Sequence, residues 1–178
     1  TTLGYEAGRY TTGSYNTFVG SEAGKGGQTT APWSSGKYNT AIGYEALKRF
    51  TSGQDNTALG KGALSYVSTG GSNIGIGYQA GGNLEEGSNN VFVGYQAGYN
   101  ETGSNKLYIG NSSSNNLIFG DFNTGDMTLG KGTGIITAGN DVYVTGTLYY
   151  ANAVQGTPES TGSQPMTSGF LGGSIKGN

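Results

Sequence analysis

Glu6, Glu22 and Glu45 stand at one repeated position of the chain, continued by Gln79 and Gln96. Two carboxylates at the right separation can hydrolyse a glycosidic bond. That chemistry needs environments that pull the two pKa values apart, and equivalent positions in a column supply like environments. A solvated charged face is the simpler reading. Within NIGIGYQAG (73–81), Gly75-x-Gly77-x-x-Ala80 matches the permissive form of a dinucleotide-binding fingerprint. A phosphate cradle also needs a helix N-terminus behind it, and no helical period follows. Sister segments place Phe18, Ala41, Ala58 and Phe92 where this one has Gly75, so the stretch reads as a turn within a repeat. Asp121-Phe-Asn123-Thr-Gly125-Asp126 begins like a calcium loop. It lacks the fifth-position ligand, the sixth-position glycine and the closing glutamate, whose place falls at Gly132. A tight turn is expected there. The asparagines of Asn100-Glu-Thr102 and Asn111-Ser-Ser113 are glycosylation acceptors only if the host modifies such sites.

The composition excludes more chemistry than it suggests. The chain has no cysteine and no histidine, so thiolate chemistry, disulfides and the commonest general base and metal ligand are absent. Nothing calls for a cofactor or a metal. The nine basic residues are scattered apart from Lys48-Arg49, and the net charge is −2, which does not fit the basic stripe of a nucleic-acid binder. No apolar run reaches the ~18 residues of a membrane helix. With Thr1 first, the chain reads as a processed product or a segment of something longer. With 36 glycines among 178 residues, few large aliphatic side chains remain to offset a backbone ordering cost of roughly 1–2 kcal/mol per residue. Either part of the chain is disordered, or regular backbone pairing and partner chains supply what the core lacks.

The elements that position all these residues repeat. TGSYNTFVG (12–20), SGKYNTAIG (35–43), SGQDNTALG (52–60), TGGSNIGIG (69–77), EGSNNVFVG (86–94) and TGSNKLYIG (102–110) align without a gap. Each ends on an anchor glycine: Gly20, Gly43, Gly60, Gly77, Gly94 and Gly110. A truncated copy, LGYEAG, occupies 3–8, and five copies carry an alanine three residues after the anchor. The residue before the anchor is always large and apolar. This column, Val19, Ile42, Leu59, Ile76, Val93, Ile109, Phe119 and Leu129, is expected to be the core, with Thr17, Thr40, Thr57, Ile74, Val91 and Leu107 two residues earlier on the same face. Period-two alternation bounded by glycine predicts short half-buried strands stacked in register. Asn16, Asn39, Asn56, Asn73 and Asn90 open them. The words after each anchor (GYEAL, GYQAG) fit either a helical turn or a second short strand.

The predicted organisation is all-β: a stacked short-strand repeat of the β-roll or β-solenoid kind. Long rungs of 16–23 residues fill 1–110. Shorter ten-residue rungs ending at Gly120 and Gly130 fill 111–132. Terminal strands follow over 133–150, and a polar tail or linker over 151–178.

The repeated core N-T-A-[IL]-G-Y-[EQ]-A-L, joined by T-x-G-S-N, resembles the parallel β-roll repeats of trimeric autotransporter adhesin heads and the longer variant of phage tail fibres and bacterial surface fibres. The resemblance covers about 3–130 and implies an intertwined or side-by-side homotrimer, extracellular on a virion or cell surface. It implies a non-enzymatic, structural or adhesive role, with other fibre or virion proteins as neighbours. A host-surface glycan is the expected receptor class, met by the loops 25–37, 48–54, 65–72 and 82–88. Trp33, Tyr99, Tyr66 and Arg49 are the candidate receptor contacts. Membrane insertion and nucleic acid are not expected. A purely structural capsid fibre or self-assembling filament is the first alternative, and a polysaccharide-degrading spike using Glu22 or Glu45 the second.

Overall fold

The computed structural model describes residues 1–27, 33–114 and 116–129, together with the short strands at 149–150 and 164–165. The chain divides into two compact units, Thr1–Ile136 and Thr137–Asn178. In the first unit, strands β1 (Thr2–Leu3), β2 (Thr17–Val19), β3 (Thr40–Ile42), β4 (Thr57–Leu59), β5 (Ile74–Ile76), β6 (Val91–Val93), β7 (Lys106–Gly110), β8 (Asn116–Asp121) and β9 (Asp126–Leu129) form one sheet in sequence order. In the second, β10 (Tyr149–Tyr150) pairs antiparallel with β11 (Gln164–Pro165). The remainder of the terminal strands and tail expected over 133–178 lies outside the described residues. No helix occurs among those described.

From β1 to β7 every neighbour is parallel, and the register is the one the repeat alignment gives. Thr17 faces Thr40, Ala41 faces Ala58, and Ile76 faces Val93. One circuit of chain separates adjacent strands, so the first unit is a β-solenoid. Backbone bonds join the circuits beyond the strands too: Leu47 N–H donates to the Ala63 carbonyl, Leu64 N–H to Ala80, and Gln79 N–H to Lys61. The post-anchor words are thus cross-linked turns, neither helix nor strand. Their backbone is left-handed at Glu22, Glu45, Gln79 and Gln96, with φ between 51° and 57°. The anchor glycines are also required for closeness. Gly43 has φ +132°, and a Cβ there would stand 2.6 Å from the Gly60 carbonyl oxygen of the next circuit.

The expected core column is overturned. Ile42, Leu59, Ile76 and Leu129 are exposed, and Val19, Val93, Ile109 and Phe119 only half-buried. The inner face belongs to the middle residues Phe18, Ala41, Ala58, Gly75 and Phe92, all buried. Alternation defines two faces but does not say which is inside. The opening asparagine decides, because it shares the parity of the middle residue and its amide is needed inside. Asn56 Nδ2 donates to the Gly70 carbonyl (3.0 Å) and to Asn39 Oδ1 (3.1 Å). Its own Oδ1 accepts from the N–H and Nδ2 of Asn73 (3.0 Å each). The same ladder runs through Asn39, Asn56, Asn73 and Asn90, all fully buried. Phe119 is the one member of the expected column on the inner side, packed edge-on to Tyr108 (4.9 Å), which in turn lies against Phe92 (5.8 Å).

Core size is balanced between positions instead of being uniform at each. Circuits with Ala41 or Ala58 in mid-strand place Leu47 or Leu64 four residues past the anchor, where circuits with Phe18 or Phe92 place Gly24 or Gly98. The circuit with Gly75 and Gly81 is small at both positions. Leu64 fills it from one side and Phe92 from the other: a Cβ on Gly75 would be 2.7 Å from Leu64 Cγ, and one on Gly81 would strike Phe92 and Leu64. Ala23, Ala46, Ala63, Ala80 and Ala97, with Phe50, Val67 and Leu84, complete the buried cluster.

The segment after β7 does not continue as ten-residue rungs. β7–β8 and β8–β9 are antiparallel, so 106–129 is a meander. The spacing gives the reason: the parallel circuits run from 16 to 23 residues, and ten are too few to go round. The chain folds straight back.

Candidate binding surfaces

The acidic column is locked into an ion-pair ladder. Lys25 Nζ lies 2.5 Å from Glu6 and 3.4 Å from Glu22, and Lys48 Nζ lies 2.7 Å from both Glu22 and Glu45. The hydrogen bond from Lys48, reinforced by Lys25, holds the Glu22 carboxyl below its ordinary 4.5. This opposes the raised pKa a general acid requires. Further along, the column becomes an amide ladder, with Gln96 Nε2 donating to Gln79 Oε1 (3.0 Å).

Gly75 is buried against Leu64 and is followed by turns, so it cradles no phosphate. Asp121 and Asp126 pair across a hairpin whose turn is closed by the Asn123 N–H on Asp121 Oδ1 (2.9 Å) and by Gly125 at φ +76°. Asp121 is itself ion-paired with Lys106. Among the described residues no cluster of three or more carboxylates could hold a metal.

Arg49 and Tyr66 are brought together by the stacking of circuits. Arg49 N–H donates to Ser65, and Tyr66 N–H to Gly82, which fixes both backbones. The Arg49 guanidinium carbon then lies 4.5 Å from the Tyr66 ring centroid. Both residues are exposed and line a groove of about 300 Å³ with Gly27, Thr51, Ser68 and Glu85. Thr51 Oγ1 bonds the Ser68 carbonyl (3.1 Å) and lies 3.2 Å from its hydroxyl. Trp33 and Tyr99 are not among the groove's lining residues. Trp33 is exposed in its own loop, and Tyr99 is half-buried against Gly82. Thr51, Ser68 and Glu85 fall within the loops 48–54, 65–72 and 82–88 expected to make contact, but nothing in their residue types singled them out from their neighbours. The signal was in the spacing: 51, 68 and 85 are 17 apart, as are 49 and 66.

On the opposite side of the strands lies an uncharged face, aliphatic apart from three threonines. It comprises Thr17, Thr40, Thr57, Ile74, Val91 and Leu107, with the displaced column from Val19 to Ile109. Beside it runs the post-anchor column, where Lys61 sits 5.6 Å from the Tyr44 ring and 5.8 Å from Tyr78, and Tyr78 stacks on Tyr95 at 5.2 Å. At the β7 end the face opens into an apolar groove of about 510 Å³ lined by Val93, Ile109 and Leu117.

Near the same end, Glu101 takes the circuit position held by Phe50, Val67 and Leu84. Burial raises its pKa, but hydrogen bonds from the Tyr108 hydroxyl and the Gly103 and Thr102 amides outweigh that and lower it. Burial and the Glu101 carboxylate push the Tyr108 phenol well above its usual range.

Comparisons with family models, curated proteins and solved structures return no match. The class defined by the fold is an all-β solenoid ending in an antiparallel meander.

Proposed function

We infer that the chain is a non-enzymatic, stacked segment of an extracellular or virion fibre, assembled as a homotrimer through its outer strand face and turning its loop side toward a surface glycan. The observation that carries this is the outer face. Leu3, Ile42, Leu59, Ile74 and Ile76 are all exposed, in strand rows without a charged residue. Contiguous apolar surface of this kind marks an interaction site. Its rows recur at the interstrand spacing of ~4.8 Å, so a partner covering it rung for rung needs the same period. Another copy of the chain has it by construction. Closed cyclic assembly about one axis would bury that face in every copy and leave the loop side outward, where repeated weak contacts gain avidity.

Solution mass and negative-stain imaging of the full chain test the reading. A uniform particle of three times the 18.2 kDa chain mass is expected. Open-ended filaments would favour the self-assembling alternative, and a monodisperse monomer would overturn the proposal. The polysaccharide-degrading alternative is disfavoured by the ion-paired state of Glu22 and Glu45. It would be revived by reducing-end release from glycans that is lost on Glu22→Gln.

A further inference from the structure

The groove on the loop side has a more specific chemistry than glycan contact in general. Resting on the glycan reading above, we propose that it binds a carboxylated sugar, with the Arg49 guanidinium as the fork that takes the carboxylate. Four features lead there.

The first is that Arg49 is exposed, and its interaction among the described residues is with the face of the Tyr66 ring, not with a carboxylate. Its neighbour Lys48, by contrast, is held between Glu22 and Glu45. A guanidinium laid on an aromatic face keeps the N–H donors along its edge available, in a planar geometry that matches a carboxylate bidentately. Tyr66 is thus a positioning residue: it orients the fork without touching the anion.

The second is the run of hydroxyls beside it. Thr51 and Ser68 stand on adjacent circuits, joined by the Thr51 N–H to the Ser68 carbonyl (2.8 Å) and by their side-chain oxygens at 3.2 Å. Each retains capacity for one more partner, as a polyol requires.

The third is Glu85, exposed at the far side of the groove and one circuit beyond Ser68, which donates its N–H to the Glu85 carbonyl. Two circuits at ~4.8 Å separate it from the Arg49 level, roughly 10 Å along the stack. A carboxylate there accepts hydrogen bonds from sugar hydroxyls. It repels a ligand charged along its whole length, which excludes nucleic acid and polyphosphate and leaves a ligand with separated carboxylates on a hydroxyl-rich frame.

The fourth is shape. The groove is about 300 Å³ and open, which suits one or two sugar units of a longer chain passing across the circuits.

The test uses the full chain and matched pairs of immobilised polysaccharides whose carboxylates fall on alternate sugars, hyaluronan and unsulfated chondroitin, each alongside its carboxyl-reduced form. At least one acidic polymer should be retained roughly tenfold more strongly than its reduced form, an effect of ~1.4 kcal/mol. Arg49→Gln should abolish that difference, and Arg49→Lys should restore only part of it, because a point charge lacks the fork. Tyr66→Leu should weaken the acidic polymer and spare the reduced one. Unchanged thermal melting of Arg49→Gln shows that the loss is local. If acidic and reduced forms bind equally and Arg49→Gln has no effect, the carboxylate proposal falls while glycan contact stands, and Trp33→Ala then locates that contact. If no polysaccharide is retained in either form, both fall.

Discussion

The two faces of the strand ladder invert the usual relation between uniformity and burial. On the inner face the middle residues run Phe18, Ala41, Ala58, Gly75, Phe92, from the largest to the smallest side chain, yet all are buried. On the outer face the residues before the anchors are always Val, Ile or Leu, yet they are half-buried or exposed. The inner face can vary because volume is shared between circuits, so Leu64 occupies what Gly75 and Gly81 leave empty. The outer face gains nothing from its uniformity within one chain. The proposed assembly through the outer face would give that uniformity a use, since a partner of the same period would meet every row alike.

Breaking the inner face should cost most. Asn56→Ala leaves the Asn73 N–H and the Gly70 carbonyl without their partners. At ~1–3 kcal/mol for each unsatisfied buried group, a loss of roughly 2–6 kcal/mol is expected in chemical denaturation. Gly75→Phe, which makes this strand look like its neighbour β6, comes next. It drives a ring into Leu64 and should cost at least ~1–3 kcal/mol. The shared-volume account adds a sharper expectation: Leu64→Ala, destabilising alone, should recover part of that loss in the double variant. Strict additivity would mean that the two positions do not share space.

A smaller effect separates the ion ladder from both faces. The Glu22 pKa is lowered in the folded chain, so its contribution is present above the ordinary 4.5 and is lost as pH falls through the folded value. The Lys48 pKa is raised, chiefly by its hydrogen bond to Glu22. Its contribution is therefore present below 10.5 and is lost as pH climbs through the folded value. Melting temperature against pH should be flat between these limits and decline outside them, and Glu22→Gln should make the acid limb shallower, leaving the part due to the lowered pKa values of Glu101 and Asp121.

The smallest effect on the fold is expected from the outer face. Ile42→Asp with Ile76→Asp should change the far-UV spectrum little and the intrinsic stability of a circuit by no more than ~0.5 kcal/mol each, while removing self-association in sedimentation velocity. A large loss of folded structure in the dilute variant would return these residues to the core.

This contrast also shows what the sequence could and could not tell. Six aligned copies were enough for the circuit length, for strands at 17–19, 40–42, 57–59, 74–76 and 91–93, and for the parallel register. They were misleading about parity, since ranking by hydrophobicity always places Ile42 or Leu59 above Ala41 or Ala58. The corrective signal was the asparagine, a polar residue at inward parity whose buried amide bonds successive circuits. NLIFG and DMTLG carried the repeat's lettering, but at a spacing too short for a circuit, and length should have outweighed the letters. In the loop groove, Arg49 and Tyr66 stood out as exposed residues with distinctive chemistry. Thr51, Ser68 and Glu85 look ordinary until 17-residue spacing is used to stack them.

The claim that most needs testing is that the outer face meets another copy of the chain. Because the sequence has no cysteine, Ile76→Cys provides a unique spin-label site at the middle of that face. Pulsed electron–electron resonance on the labelled full chain should show a single, well-defined intermolecular distance, shorter than that from a label at Thr51→Cys on the loop side. The absence of intermolecular coupling at Ile76→Cys, or a shorter distance at Thr51→Cys, would contradict the account.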